Sequence, residues 1–196
     1  MEVYLDHSAT TRCCREAADL MVRIMTEDYG NPSSMHRKGM EAENYLREAA
    51  SELAGILKVQ EKEIYFTSGG TESNNWALVG TAMANRRRGN RILVSAVEHA
   101  AVSAPARWLA DQGFDVVVLP VDRFGVVKME ALEEALTPET ILVSVMHVNN
   151  EIGSVEPVEE IGNLIRKKAP EAYFHVDAIQ AFGKYRIYPR RMHIDM

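Results

Sequence analysis

Cysteine is scarce in this chain of 196 residues, which contains only two, adjacent to each other at Cys13 and Cys14. Neighbouring cysteines cannot form the framework of cross-links that stabilises small secreted proteins, and neither has the spacing of a metal ligand. We therefore expect a reducing, cytoplasmic environment. We expect the two thiols to be incidental rather than reactive, although a vicinal pair has the chemistry to oxidise or to trap metal.

Three other features are missing: an excess of positive charge, a long apolar run and a leader. The net charge is −6, and the run of Arg86, Arg87 and Arg88 is short, which argues against a nucleic-acid partner. No stretch approaches the roughly 20 apolar residues of a membrane span. Residues 1–6 have neither the basic start nor the apolar core of a signal peptide. We therefore expect neither a nucleic-acid nor a membrane partner.

The first sixty residues predict two helices and no sheet. Apolar positions recur with helical spacing over residues 15–28 and again over residues 35–57. Between them, glycine, asparagine and proline at residues 30–32 break the pattern. We predict that residues 1–60 form an N-terminal helical segment and that residues 61–196 form a separate domain.

Residues 61–196 alternate short apolar strands with helices. This rhythm predicts a three-layer α/β/α domain with a mostly parallel sheet, because each strand–helix–strand connection crosses over in the same sense. With 46% hydrophobic residues, the chain can bury such a core. The predicted strands are residues 64–66, 91–95, 115–119, 140–145 and 173–176, and the predicted helices are residues 71–88, 101–112, 129–136 and 158–168.

A glycine pair lies at the first predicted strand-to-helix turn, in the run TSGGTESNN of residues 67–75. Gly69 and Gly70 let a ligand approach the backbone closely, and the first amides of the helix point outward beside the positive end of its dipole. This combination is typical of a phosphate site. A capped helix start, with Ser68 or Thr71 as N-cap, explains the same residues equally well.

Polar residues also follow the later predicted strands, where ligands bind in parallel sheets. A phosphate on Gly70 and Thr71, His99 lying flat on a ring and Asp177 paired with a protonated ring nitrogen would together suit pyridoxal phosphate. Asn150 and Gln180 would contact a ring oxygen. Taken singly, each residue has a simpler role, because His99 and Asp177 would each cap a helix and Asn150 would belong to a turn.

Six motifs carry a family resemblance. In order they are YLDHSATT at residues 4–11, GNPSSMH at 30–36, FTSGGTES at 66–73, VEH at 97–99, VSVMHVNNEIG at 143–153 and FHVDAIQA at 174–181. Their sequence and spacing resemble the cysteine desulfurases of the iron-sulfur-cluster type, among the class V aminotransferases of fold type I. The resemblance runs from one end of the chain to the other.

The resemblance implies pyridoxal 5′-phosphate as cofactor, with the phosphate on Gly70 and Thr71 and the ring nitrogen on Asp177. It implies that His99 stacks on the ring and takes part in catalysis, and that Asn150 and Gln180 contact the ring hydroxyl. It also implies L-cysteine as substrate, a sulfur-accepting partner and a homodimer. Residues 1–60 would then contribute to a small domain and to dimer contacts.

The main departure from the family is at the end of the chain. The family's cofactor-binding lysine, persulfide-forming cysteine and substrate-binding arginine all lie beyond the region matching residue 196. We therefore expect a truncated chain that is inactive alone, that cannot attach the cofactor covalently at the usual lysine, and that self-associates through uncovered surface. The alternatives are another class V member, a selenocysteine lyase or an aminotransferase, and a non-catalytic fragment or partner.

Overall fold

A computed structural model describes all 196 residues, and the chain divides into two compact units, Met1–Tyr65 and Phe66–Met196. The first unit is helical, and the second contains the sheet. None of the helices combines the length and the apolar character needed to cross a membrane.

The first unit contains the two predicted helices, α1 (Arg15–Thr26) and α2 (Arg37–Leu57), followed by a single 3-10 turn at Glu61–Glu63 that the sequence did not predict. His36 caps α2 by accepting a hydrogen bond from the Gly39 backbone N–H through Nδ1, at 3.3 Å. The helix ends where Lys58 adopts a left-handed conformation with φ of 58°. Both helix predictions are confirmed, with ends within two residues of those expected.

Polar contacts rather than a large apolar core hold the first unit together. The Tyr45 hydroxyl donates to an Asp28 carboxylate oxygen at 2.7 Å, and the Lys38 ammonium donates to the Glu27 carbonyl at 2.8 Å. No residue of α1 is buried, although the helix is strongly amphipathic. Its apolar face therefore remains open to solvent within this unit.

Four strands form the sheet of the second unit: β1 (Arg91–Ser95), β2 (Asp115–Leu119), β3 (Thr140–Ser144) and β4 (Tyr173–His175). All pairings are parallel, in the order β2–β1–β3–β4. The bounds of β1 and β2 match the prediction residue for residue, and those of β3 and β4 differ by one residue. Their apolar composition suits strands covered on both faces.

The second unit has five helices, of which one precedes β1, three connect consecutive strands and one follows β4. Four of them were predicted, and their ends lie within three residues of those expected; the short last helix was not predicted. They are α3 (Gly70–Asn85), α4 (Ala100–Asp111), α5 (Met129–Ala135), α6 (Val158–Lys168) and α7 (Pro189–Met192).

Two apolar clusters sandwich the sheet. Along β1, Ile92 and Val94 join a cluster with residues of α3 and α4, whereas Leu93 joins a cluster with residues of α5 and α6. This alternation is what a strand's two-residue period requires. The predicted three-layer α/β/α architecture is therefore confirmed for this unit.

One register irregularity occurs in the middle of the sheet. Arg91 pairs with Thr140 but the next residue, Ile92, pairs with Leu142, so Ile141 is an extra residue in β3. As a result Ile141 and Leu142 both contribute to the α3–α4 cluster. Such a bulge bends one strand locally without breaking the sheet.

The predicted strand at residues 64–66 is wrong. These residues follow the 3-10 turn in extended conformation but pair with no other strand, so the sheet has four strands and not five. Tyr65 and Phe66 are 70% and 52% exposed. An apolar triplet favours extended backbone, but a strand forms only where a neighbouring strand takes up its N–H and C=O groups.

The burial of Phe174 in β4 yields a direct stability prediction. This side chain is fully buried between β3 and α6 residues of the core. We expect Phe174→Ala to lower the free energy of unfolding by about 3–5 kcal/mol, since it removes buried area and leaves a cavity. Val118→Ala on β2, where the side chain is 59% exposed, should change it by less than about 1 kcal/mol.

Urea unfolding followed by circular dichroism measures both values. A cost below about 1 kcal/mol for Phe174→Ala would contradict the assignment of β4 to the core.

Candidate functional site

The polar residues selected from the sequence lie at the carboxyl ends of β1, β3 and β4 and at the start of α3. The β3–β4 ladder continues past the strands, because the His147 N–H donates to the Asp177 carbonyl at 2.9 Å. The loops that follow these two strands therefore begin side by side. This is the edge at which parallel sheets bind ligands.

The glycine pair forms the start of α3, with Gly69 as its N-cap. The alternative prediction that Ser68 or Thr71 caps the helix is therefore wrong. Instead, the Ser68 N–H and hydroxyl both donate to one Glu72 carboxylate oxygen, at 2.7 and 2.6 Å, and fix the turn. The first amides of α3 remain directed outward, as an anion site needs.

Gly70 lies next to the turn after β4. A Cβ atom added at Gly70 would meet the Cδ1 atom of Ile179, which belongs to that turn. Ile179 is 61% exposed, so its side chain can move aside, and this contact alone does not require glycine. Thr71, the next residue, is exposed.

His99 is the N-cap of α4, and its Nδ1 accepts a hydrogen bond from the Ala101 N–H at 3.1 Å. The capping role considered in the sequence analysis is therefore confirmed. Capping leaves the ring exposed, because only one edge of the imidazole is engaged. Since Nδ1 accepts, a neutral ring carries its proton on Nε2.

Thr71 and His99 line the same cavity, a groove of about 650 Å³ between α3 and α4. Asn75 and Trp108 also line it. The structure therefore brings the proposed phosphate end and the proposed stacking residue to one concave surface. The indole of Trp108 supplies a natural fluorescent reporter for ligands in this groove.

Asp177 follows β4 and is 6% exposed. Its Oδ2 accepts from the Asn74 side-chain amide at 2.8 Å, and its Oδ1 accepts from the Ile179 N–H at 3.1 Å. Asp177 therefore closes a turn, and the alternative that it caps a helix starting at Ala178 is wrong because no helix forms there. Both partners are neutral, so the buried carboxylate would be stabilised by a cation.

Asn74 is the site residue that the sequence analysis missed. It lies in the first turns of α3 and is 4% exposed. Its bond to Asp177 spans 103 residues of chain and ties the start of α3 to the end of β4. The only signal in the sequence was its place inside the glycine-pair motif, among other polar residues.

Asn150 and Gln180 are half-buried on the neighbouring loops after β3 and β4. Asn150 lies in a turn that Asn149 organises, since the Asn149 Oδ1 accepts from the N–H groups of Glu151 and Ile152 at 2.8 and 2.9 Å. The Oε1 of Gln180 accepts from the Lys184 ammonium at 3.2 Å. Their contact with a ring hydroxyl stays a prediction.

Two buried titratable groups lie close to Asp177. Burial lowers the pKa of His175 to about 4, partly offset by the charge of Asp177. Burial also raises the pKa of Glu98 to about 8, although the carboxylate accepts hydrogen bonds from Ser95 and Met146. Near neutral pH both side chains are therefore predominantly uncharged, which leaves Asp177 as the charge at this edge.

The donor set fits pyridoxal 5′-phosphate. A helix N-terminus suits the phosphate, an exposed imidazole suits the face of a ring, and a buried carboxylate held by two neutral donors suits a protonated ring nitrogen. These three features come from the start of α3 and from the loops after two strands, β1 and β4, which is why no single motif specifies them.

The fold agrees with the family comparison. Residues 3–196 match the family described as Aminotransferase class-V. The chain therefore belongs to the class V aminotransferase family, whose members depend on pyridoxal phosphate as a family.

Among individual relatives, "Cysteine desulfurase IscS" of Methanosarcina thermophila is 45% identical over 194 residues, which are 99% of this chain and 48% of that protein. Among solved structures, one titled "NIFS-LIKE PROTEIN" superposes with a TM-score of 0.96 at 40% identity, covering 100% of this chain and 53% of the other. One titled "SspA in complex with cysteine" has a TM-score of 0.93 at 34% identity, covering 98% and 55%. The chain thus spans about half the length of the relatives it matches.

The Asn74–Asp177 hydrogen bond yields a prediction about stability. Asn74→Leu keeps the branched shape of the side chain but leaves a buried carboxylate oxygen without its donor, so we expect the free energy of unfolding to fall by about 1–3 kcal/mol. The matched control is Asn75→Leu, whose half-buried amide bonds only its own helix, to the Thr71 carbonyl. Urea unfolding should show a smaller loss for the control. Equal losses in both variants would contradict a structural role for this bond.

Burial of neutral His175 makes stability depend on pH. Its pKa in the folded chain, about 4, lies below the value of 6.5 for an exposed histidine, so the unfolded chain binds more protons between these values. The contribution of His175 to stability should therefore be full above pH 6.5 and fall by up to about 3 kcal/mol towards pH 4. Glu98, whose pKa is raised by burial, acts in the opposite direction over part of this range, so the contribution of His175 is measured as the difference between the profiles of the parent chain and of a His175 variant.

The Ser144 hydroxyl lies 2.9 Å from Nδ1 of His175, and an asparagine side chain can still bond it. We expect that lowering the pH from 6.5 to 4 is less unfavourable for His175→Asn than for the parent chain, by up to about 3 kcal/mol. His7→Gln, at an exposed histidine, should leave the profile unchanged. Urea midpoints measured from pH 4 to pH 7 test both. A profile for His175→Asn that overlays the parent profile would show that His175 does not titrate as a buried group.

Proposed function

We propose that this chain forms the cofactor-binding part of a pyridoxal-phosphate-dependent cysteine desulfurase. The observation that carries the proposal is the buried Asp177 carboxylate, which two neutral donors hold at the edge where α3 begins and β4 ends. Such a carboxylate gains most from a ligand that brings a positive charge in a flat, otherwise apolar group.

The residues would share the binding of the cofactor. Gly70 and Thr71 would hold the phosphate at the start of α3, and His99 would lie on the ring. Asn150 and Gln180 would hydrogen-bond the ring hydroxyl. When bound, pyridoxal phosphate supplies an electron sink for reactions at the α-carbon of amino acids.

Asp177 would keep the proton on the ring nitrogen. An ionised carboxylate within hydrogen-bond reach favours the protonated form of its partner, and burial strengthens the pair because water does not screen it. The neutral states of Glu98 and His175 suit this role, because neither competes with Asp177 for a cation near neutral pH. His99 would contribute to catalysis from the face of the ring.

Substrate and partners are proposed from the relatives. The relative named above is called a cysteine desulfurase, and one similar structure is described as a complex with cysteine. We therefore propose L-cysteine as substrate of the complete enzyme, a sulfur-accepting protein as partner and a homodimer as the assembly. Residues 1–60 would contribute to a small domain and to dimer contacts, and the scarcity of cysteine favours the cytoplasm.

Titration of the chain with pyridoxal 5′-phosphate tests the proposal. Binding should quench the fluorescence of Trp108 and give a saturable change in cofactor absorbance. Asp177→Ala should weaken binding about 10- to 100-fold, since a hydrogen bond to a charged group is lost. The control is Asp111→Ala at the exposed end of α4, which should bind as the parent chain does.

Two results would count against the proposal. One is an absence of saturable binding by the parent chain under conditions in which circular dichroism shows it folded. The other is equal affinity in the parent chain and in Asp177→Ala.

A further inference from the structure

Two hydrogen bonds join the loop after β1 to the loop after β3. The Met146 N–H donates to Oε1 of Glu98 at 2.7 Å, and the Asn149 side-chain amide donates to the Val97 carbonyl at 2.7 Å. Each bond joins a side chain of one loop to the backbone of the other. The Glu98 side chain belongs to the loop after β1, and the Asn149 side chain belongs to the loop after β3. We call these two bonds the cross-loop clamp.

The Glu98 half of the clamp is built into the protein interior. Its Oε1 also accepts from the Ser95 hydroxyl at 2.6 Å, so a single oxygen receives two donors. Its Oε2 is buried and has no hydrogen-bond partner. A carboxyl group that is buried without a cationic partner lowers the stability of the fold. A buried polar atom without a partner calls for an explanation, and a positioning role for Glu98 would provide one.

The Asn149 half couples the clamp to the following turn. Asn149 is 9% exposed and uses both ends of its amide. Its oxygen accepts from two backbone N–H groups and closes the turn that contains Asn150, while its nitrogen reaches the opposite loop. A shift of Val97 would therefore be transmitted to this turn.

Each clamp side chain directly precedes a residue of the proposed cofactor site. Glu98 precedes His99, and Asn149 precedes Asn150. We propose that Glu98 and Asn149 are positioning residues whose cross-loop hydrogen bonds set the separation between His99 and Asn150. The consequence for the cofactor rests on the function proposed above, whereas the clamp itself does not.

The charge state of Glu98 determines which substitutions are informative. Burial raises its pKa to about 8, and the nearby charges of Asp177 and Glu156 act in the same direction. Burial lowers the pKa of His147, whose Nδ1 is buried without a partner. Glutamine is therefore a close copy of Glu98, since it keeps the accepting oxygen without a charge.

The first experiment measures hydrogen exchange at the Met146 amide by NMR in the full chain. Glu98→Gln should keep the protection of this amide, whereas Glu98→Met should increase its exchange about tenfold or more, because the acceptor is lost. Glu134→Gln, at an exposed position of α5, serves as the matched control. Equal protection in Glu98→Met and the parent chain would overturn the clamp.

Asn149→Asp provides a second, independent variant. The aspartate oxygen can still close the turn, but the donor to the Val97 carbonyl is lost. We expect the Met146 amide to exchange faster in this variant as well, because both bonds hold the same two loops. If Glu98→Met does not fold, Asn149→Asp alone tests the clamp. Unchanged protection of the Met146 amide in Asn149→Asp would contradict the clamp.

The second experiment tests positioning by titrating the same variants with pyridoxal 5′-phosphate. Glu98→Met and Asn149→Asp should bind about tenfold more weakly than the parent chain, and Glu98→Gln should bind equally well. Faster exchange at Met146 with unchanged cofactor affinity would show a purely structural clamp and overturn the positioning role.

A parent chain that binds no cofactor would instead refute the proposed function and, with it, the positioning role. The exchange data would still support or refute the cross-loop bonds in that case, so the two failures are distinguishable.

Discussion

The hydrogen bond between Asn74 and Asp177 is the interaction on which the candidate site depends. It joins the start of α3, where the backbone favours an anion, to the end of β4, where a carboxylate favours a cation. The bond thereby fixes the distance between a site for an anion and a site for a cation. A ligand with a phosphate at one end and a basic nitrogen at the other needs both sites at a fixed separation. The sheet supplies the rigidity, because Asp177 directly follows the region of β4 and α3 packs on the sheet through Leu78 and Ala82.

The surroundings of Asp177 support this arrangement by staying uncharged. Glu98 and His175 are both titratable, yet burial moves the pKa of the first up and of the second down, so both are predominantly neutral near pH 7. The cross-loop clamp adds the third element, since it joins the loops that carry His99 and Asn150. The backbone amides of α3, the charge of Asp177 and the cross-loop clamp thus all contribute to the candidate site at one edge of the sheet.

Local patterns in the sequence were sufficient for the helices and for β1 and β2, because strong apolar runs and glycine breaks act within a few residues. They failed at residues 64–66, where strand formation depends on a neighbour elsewhere in the chain. The candidate residues His99 and Asp177 could be selected because each follows a strand. Asn74 could not, since its role arises from a contact across 103 residues of chain. Glu98 also follows a strand, but its bond with Met146 spans 48 residues and could not be predicted from local patterns.

The most direct test of the central claim is the ¹⁵N chemical shift of the ring nitrogen in isotopically labelled pyridoxal 5′-phosphate bound to this chain. Pairing with Asp177 predicts a protonated ring nitrogen that persists above neutral pH and is lost in Asp177→Asn. An unprotonated ring nitrogen in the parent chain, or the same shift in both proteins, would contradict the account.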